Sequence, residues 1–274
     1  RLLRDIDVSV MTVPSMNEIL HGKSVNAVRD ISILDIMGRE PVVPIQSLLD
    51  ASLHNRAVAI TGGAGSIGSE LARQALASGA NKIVLFDISE FGLFQVTQEL
   101  TALKGQAGSQ CEIVSVLGNV LNSQQVITCL KAHGIDTLYH TAAYKHVPLV
   151  EQNVCVGVYN NVIGTLEVAR AAKLAEVKRF VLISTDKAVR PTNHMGASKR
   201  AAELVVQHCA SEESKTIFTM VRFGNVLGSS GSVVPLFEAQ LKRGGPLLVT
   251  HPDITRYFMT IPEAAQLVIQ AGAM

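Results

Sequence analysis

The chain has 274 residues, 47% hydrophobic and 17% charged, with a mean hydropathy of +0.28, a composition that supports a large core and excludes disorder for most of its length. Its 24 Lys and Arg balance 23 Asp and Glu, with no block of like charge, which makes nucleic acid a poor partner. Gly, Ser, Asn or a charge interrupts every apolar run before about 18 residues, so these residues do not themselves span a membrane.

Residues 1–56 read as the tail of a preceding domain followed by a linker. Within them 11–14 reads as the end of a strand, 16–20 as a helical turn, and 29–44 as a mixture broken by Pro41 and Pro44. From residue 57 onward, short Val- and Ile-rich runs alternate with longer stretches of helical period, the pattern of repeated strand–helix units. Strands are expected at 57–61, 82–86, 112–117, 137–141, 179–184 and 217–221. Their nearly continuous apolar character suits strands covered on both faces. Helices are expected at 66–78, 90–103, 124–133, 156–175 and 195–210. This predicts an α/β fold with a doubly wound parallel sheet, a dinucleotide-binding domain over 57–221 and a partial substrate-binding subdomain over 222–274. Residues 269–274 read as an uncapped helix and the first residue is Arg1, so the chain is expected to be a piece of a longer protein. Cys111, Cys129, Cys155 and Cys209 lack paired spacing and read as reduced core residues, which suits a cytosolic setting.

The segment 58–68, VAITGGAGSIG, sets a buried strand, a glycine-rich turn and a helix start in that order. Gly62 and Gly65 permit a tight turn close to a pyrophosphate, Gly68 lets the helix pack on the strand, and Ser66 and Ile67 open the helix whose N-terminus favours an anion. Asp87 follows Gly68 by 19 residues at the end of the second strand. Its carboxylate suits two ribose hydroxyls and repels a 2′-phosphate, so NAD is expected over NADP. Asn119 after the third strand is a candidate for the adenine edge or a plain turn residue. Ala142 and Ala143 end the fourth strand with small side chains, against which a cofactor lies flat.

The fifth strand runs into Ser184-Thr185-Asp186-Lys187 at its carboxyl end, where ligands sit in an open parallel sheet. Met195 and Lys199 fall on one face of the helix that follows, four residues apart. Tyr144-Lys145-His146 follows the fourth strand toward the same cleft, where Lys145 and His146 either contact a ligand or flank a helix started by Pro148. Arg256 suits a diphosphate because its planar fork bonds two oxygens at once; its other reading is an ordinary surface Arg. Either Asn160 or Asn161 is expected to brace the backbone near the site. His21, His54, His133, His208 and His251 lack metal-ligand spacing, and no metal is expected.

Taken together, TGGAGSIG, STDKA, N-x-MGASK and VRFGNVLGS resemble the extended short-chain dehydrogenase/reductases that act on nucleotide sugars. More narrowly they resemble the CapD-like polysaccharide-biosynthesis proteins, the UDP-N-acetylglucosamine 4,6-dehydratases, from about residue 28 to the C-terminus. The resemblance implies a Rossmann-like fold, NAD and a UDP-sugar substrate. Met195 stands where most of the superfamily has the Tyr of Tyr-x-x-x-Lys. A thioether takes no proton, and the resemblance implies a subset of dehydratases with Met at that place. Lys199 is implied to bond the nicotinamide ribose, and Arg222 and Asn225 to contact the nucleotide sugar. The implied reaction oxidises C4, eliminates water across C5 and C6 and returns the hydride to C6. Lys187 is assigned the C5 proton and Asp186 the C6 hydroxyl, roles that are open to exchange, with Thr185 on the C4 oxygen. The competing readings are a C5-inverting dehydratase, a 4-epimerase and a catalytically silent NAD-binding module. An epimerase needs no acid at C6, so the Asp186-Lys187 pair argues for dehydration. The resemblance further implies a homo-oligomer, cytoplasmic, its full-length form anchored at the cytoplasmic face of the inner membrane.

Overall fold

The computed structural model describes residues 11–13, 29–30, 39, 41–229, 233–249, 251, 253 and 255–274. The chain forms two compact units, Arg1–Pro41 and Val42–Met274. In the first, β1 (Met11–Thr12) pairs antiparallel with β2 (Arg29–Asp30), Met11 facing Asp30. The helical turn expected at 16–20 lies outside the described residues.

The second unit is built on six parallel strands: β3 (Ala57–Thr61), β4 (Lys82–Asp87), β5 (Glu112–Leu117), β6 (Thr137–His140), β7 (Arg179–Thr185) and β8 (Ile217–Phe223). Their order is β5-β4-β3-β6-β7-β8, so the order reverses between β3 and β6 and opens a crevice at their carboxyl ends. Alternating side chains feed two apolar layers. Val58, Ile60, Ile83 and Leu85 pack on one face with Leu71, Leu76 and Leu100, while Ala57, Ala59, Val84 and Phe86 pack on the other with Val126, Leu130 and Val168. The expected fold holds, and the strand ends shift by one or two residues.

Helices α2 (Ser66–Ala77), α3 (Glu90–Ala107) and α4 (Ser123–His133) connect the first strands. Gly108 and Gly134 adopt left-handed conformations that end α3 and α4. The single helix expected at 156–175 is instead α5 (Val147–Gln152), α6 (Val154–Val158), a π turn (Tyr159–Ile163) and α7 (Gly164–Leu174). After β7 come a 3-10 turn (Asp186–Ala188) and α8 (His194–Ser211). The C-terminal stretch carries β9 (Asn225–Val226), α9 (Val233–Lys242), β10 (Phe258–Met259) and α10 (Ile261–Ala273), with β9 and β10 paired in parallel.

One difference lies in the stretch read as a linker. Helix α1 (Gln46–Leu53) buries Leu49, Ser52 and Leu53 and belongs to the second unit. Ser52 Oγ donates to the Ile269 carbonyl at 2.9 Å, and the N–H groups of Ile45 and Val42 donate to Gln270 Oε1 at 2.8 Å and Glu263 Oε1 at 3.2 Å. Residues 42–56 therefore dock on α10, and only 1–41 fall outside this unit. No helix among the described residues is long and apolar enough to cross a membrane.

Candidate active site

The glycine turn sits at the β3 end of the crevice. Gly62 has φ +69°, and a Cβ there would lie 2.6 Å from Thr141 Oγ1 and 2.7 Å from the Ala142 nitrogen. A Cβ on Gly68 would lie 2.2 Å from the Gly62 carbonyl oxygen. Any side chain at either place pushes the turn away from β6 or from α2. Gly65 caps α2 in an extended conformation, and Ser66 and Ile67 form its first turn, where N–H groups lack intrahelical acceptors. Asp87 Oδ2 accepts from the Ala64 N–H at 3.0 Å and Oδ1 from the Ser89 N–H at 2.9 Å, which fixes the carboxylate beside the turn. A glycine floor, a helix N-terminus and a fixed carboxylate together fit the pyrophosphate and ribose of a dinucleotide.

Asn119 has one of its two expected roles on view: Oδ1 accepts from the Leu121 N–H at 2.9 Å and closes a turn. The residue also lines a cavity of about 350 Å³ with Tyr144 and Tyr159. Ala142 and Ala143 continue from β6 as half-buried residues, while Lys145 and His146 are exposed. Desolvation by nearby protein atoms lowers the Lys145 ammonium from its ordinary value, although the side chain reaches solvent.

The bracing role expected of one asparagine belongs to Asn161. The π turn buries it to 1% exposure, and its carboxamide accepts from the Tyr144 N–H at 2.8 Å and donates to the Tyr144 carbonyl at 3.0 Å and to Ser198 Oγ at 3.0 Å. Ser198 Oγ in turn donates to the Met195 carbonyl at 2.7 Å. His140, which the sequence did not single out, joins Thr61 to the same π turn. Thr165 Oγ1 donates to the Asn161 carbonyl at 2.6 Å and lies 3.1 Å from His140 Nε2. Its one proton is committed there, so Nε2 carries the imidazole proton and Nδ1 accepts from Thr61 Oγ1 at 2.7 Å. Burial, reinforced by Lys199, pushes His140 down to about 3 and keeps it neutral.

At the end of β7, Thr185 Oγ1 donates to Asp186 Oδ1 at 3.0 Å and accepts from the Lys187 N–H at 3.3 Å. Lys187 Nζ donates to Asp186 Oδ1 and to Asn225 Oδ1, both at 3.2 Å. The three residues of the expected catalytic segment therefore form one hydrogen-bonded cluster, joined by Asn225 from β9. Asn193 caps α8 through Oδ1 to the Gly196 N–H at 2.8 Å, and the helix sets Met195 and Lys199 behind the cluster at 4% and 6% exposure. Burial pushes the Lys199 ammonium down to about 8, against a smaller opposing pull from Glu203.

Glu203, one turn beyond Lys199 and fully buried, is the residue that sequence reasoning missed. Its carboxylate receives Ser184 Oγ at 2.6 Å, Arg222 Nε at 2.7 Å and Nη2 at 2.5 Å, and Arg200 Nη1 at 2.9 Å. Desolvation pushes this acid up, but the hydrogen bonds from Arg222, Ser184 and Arg200 outweigh it and bring the group down to about 2. Ser184 and Arg222 are register partners in β7 and β8, so Glu203 clamps the two strands just before the Thr185–Lys187 turn. Arg222, expected as a substrate contact, thus commits two nitrogens to Glu203. Arg256 is exposed and donates to the Thr255 carbonyl at 2.8 Å. A charged residue one turn past Lys199 was the available signal for this clamp.

The family described as polysaccharide biosynthesis protein matches residues 58–274. The chain is 45% identical over 97% of its length to the capsular polysaccharide biosynthesis protein CapD of Staphylococcus aureus and 44% identical to the probable polysaccharide biosynthesis protein EpsC of Bacillus subtilis, spanning 44% of each. It is also 33% identical, over 79% of its length and 62% of the relative, to a UDP-glucose 4-epimerase of Rickettsia bellii. Among solved structures, Pen from Bacillus thuringiensis superposes with a TM-score of 0.74 at 35% identity, covering 80% of this chain and 65% of that one. MoeE5 in complex with UDP-glucose and NAD does so at 0.65 and 25%, covering 78% and 71%. With its Rossmann-like sheet, its glycine turn and its Thr185–Lys187 segment, the chain belongs to the polysaccharide biosynthesis proteins of the extended short-chain dehydrogenase/reductases.

Proposed function

We propose that the whole protein is an NAD-dependent UDP-N-acetylglucosamine 4,6-dehydratase that makes a UDP-4-keto-6-deoxy sugar for a polysaccharide. The observation that carries this reading is the cluster of Thr185, Asp186 and Lys187, a hydroxyl, a carboxylate and an amine linked by hydrogen bonds at the carboxyl end of β7. The neighbour holding UDP-glucose and NAD supports both ligand classes. NAD, when bound, would supply a hydride acceptor for sugar C4, and its reduced form a hydride donor for C6. Gly62, Gly65 and Gly68 receive its pyrophosphate at the N-terminus of α2, Asp87 takes the adenosine ribose hydroxyls, and the Lys199 ammonium takes the nicotinamide ribose.

The chain's own residues move the protons. Thr185 Oγ1 accepts the C4 hydroxyl proton as it passes its own to Asp186, along the hydrogen bond already present. Lys187, in its amine form, takes the C5 proton, and the electron pair of the broken C–H bond moves into an enolate on the C4 carbonyl. Asp186 delivers its new proton to the C6 hydroxyl, the C6–O bond breaks and water leaves. Lys187 then returns its proton to C5 as C6 is reduced, which restores amine and carboxylate for the next turnover. Met195 fills space beside the cluster and takes no proton.

Proton NMR of UDP-N-acetylglucosamine incubated with the full-length protein tests the reading. A new C6 methyl doublet without added reductant is expected. In Asp186→Asn and Lys187→Met it should fall about 10²- to 10⁴-fold, the usual contribution of a positioned acid or base. The identity to the UDP-glucose 4-epimerase favours epimerisation as the second reading, and a product with an inverted C4 and no C6 methyl doublet would establish it in place of dehydration.

A further inference from the structure

Five residues, His140 to Tyr144, run from the end of β6 past the glycine turn. Their near end is tied to that turn, since Thr141 Oγ1 donates to the Thr61 and Gly62 carbonyls at 2.7 and 3.0 Å. Their far end is tied to the π turn, where the Asn161 carboxamide receives the Tyr144 N–H and donates to the Tyr144 carbonyl. Ala142 and Ala143, between the two ties, belong to no helix or strand. Where they lie is set by what holds the ties.

His140 joins one tie to the other. Its Nδ1 accepts from Thr61, the residue before Gly62, and its Nε2–H donates to Thr165 Oγ1, which passes its own proton to the Asn161 carbonyl. A threonine hydroxyl bonded four residues back bends a helix, and this one does so at the exit of the π turn. A hydroxyl is free to rotate unless a donor fills a lone pair, and the imidazole N–H supplies that donor. Thr61, His140, Asn161 and Thr165 are each at most 2% exposed, so water does not replace a bond lost among them. At that burial His140 itself touches no ligand.

We propose that His140 is a positioning residue of the cofactor site: by fixing the Thr165 hydroxyl on the π turn it sets where Asn161 holds Tyr144, and so how Ala142 and Ala143 lie against the dinucleotide. This rests on the reading of the crevice as a dinucleotide site.

The experiment uses full-length protein and two measurements: hydrogen exchange of the Tyr144 amide without cofactor, and the NAD dissociation constant by titration calorimetry. Thr165→Val keeps the side-chain shape and cuts the link from His140 to Asn161, whereas Thr165→Ser keeps the hydroxyl. His140→Asn places a carboxamide near the Nδ1 position and nothing at Nε2, which spares Thr61 and cuts the same link. Thr165→Val and His140→Asn should each speed Tyr144 exchange roughly 10-fold and weaken NAD binding roughly 10-fold, with Thr165→Ser within about threefold of the wild type. The two residues act in series, so the double variant should also lose roughly 10-fold in NAD affinity, against roughly 100-fold for independent effects. Leu130→Ala, a cavity in the α4 layer outside this network, should lower the unfolding temperature and leave NAD affinity within about twofold, which separates positioning from lost stability. Should His140→Asn not fold, Thr165→Val decides alone. Wild-type exchange or wild-type NAD affinity in Thr165→Val overturns the proposal, as does an additive double variant. A wild-type protein that binds no NAD, with Tyr144 exchange still raised in Thr165→Val, sinks the dinucleotide reading and the cofactor role with it, and leaves only the tie to Tyr144 standing.

Discussion

Gly196 and Lys187 meet backbone to backbone: a Cβ on Gly196 would sit 2.3 Å from the Lys187 carbonyl oxygen. That contact seats the first turn of α8, with Met195 and Lys199, against the 3-10 turn that carries Asp186 and Lys187. Gly196→Ala must force the two apart, because the obstructing atom is backbone and not the end of a flexible side chain. A misplacement of about 1 Å at reacting groups costs on the order of 10²-fold in rate. Turnover by Gly196→Ala is expected to fall by about that factor while its circular dichroism matches the wild type. Wild-type turnover would show that the contact does not set the geometry.

The parts of the fold legible in the sequence are those whose cause is local. Strands β3, β4 and β7 are buried along nearly their whole length, so their composition alone identifies them. The turn at 62–68 announces itself because only glycine tolerates its close approaches, and Thr185–Lys187 because three reactive side chains follow a buried strand. Helix α1 was invisible for the opposite reason. Its entry residue Ile45 makes no side-chain cap, and its anchors, Ile269 and Gln270, lie more than 200 residues away in the chain. The π turn and the Glu203 clamp were hidden likewise, since each depends on partners that only the packed sheet brings together.

Asp87 serves two masters, the turn and the expected ribose. Asp87→Ala removes an acceptor from the Ala64 and Ser89 N–H groups and the carboxylate that discriminates against a 2′-phosphate. Hydrogen bonds to a charged group contribute about 1.5–3 kcal/mol. NAD affinity measured by isothermal titration should therefore weaken by roughly 10- to 100-fold, with NADP affinity changed far less. A wild-type protein that prefers NADP would contradict the assignment.

Glu203 ties stability to acid. Its carboxyl lies at about 2 in the folded chain against an ordinary value of 4.5. The unfolded chain therefore takes up the proton first as pH falls, and the stabilisation is fully present above about 4.5 and lost as pH drops toward about 2. The shift corresponds to about 3 kcal/mol. Urea unfolding at stepped pH should show this loss in the wild type. Glu203→Gln should be less stable at neutral pH, because Arg222 and Arg200 lose their charged partner, and its stability should depend less on pH between about 2 and 4.5. Identical slopes in the two proteins would show that the clamp is not a source of acid sensitivity.

Lys199 ties cofactor binding to base. Burial lowers its ammonium to about 8 from an ordinary value of 10.5, so below about 8 the native state carries a buried charge at full cost. Between about 8 and 10.5 the native chain has released the proton while the unfolded chain still holds it, and stability of the cofactor-free protein rises with pH. NAD binding should show the reverse trend. An ammonium donates to the nicotinamide ribose hydroxyls with the strength of a charged hydrogen bond, and a neutral amine donates more weakly. The wild-type dissociation constant for NAD, measured by titration calorimetry from pH 7 to 9.5, should therefore rise beyond about pH 8. Lys199→Met has no proton to lose, so its weaker binding should be flat over the same range. A wild-type curve as flat as that of Lys199→Met would remove Lys199 from the cofactor site.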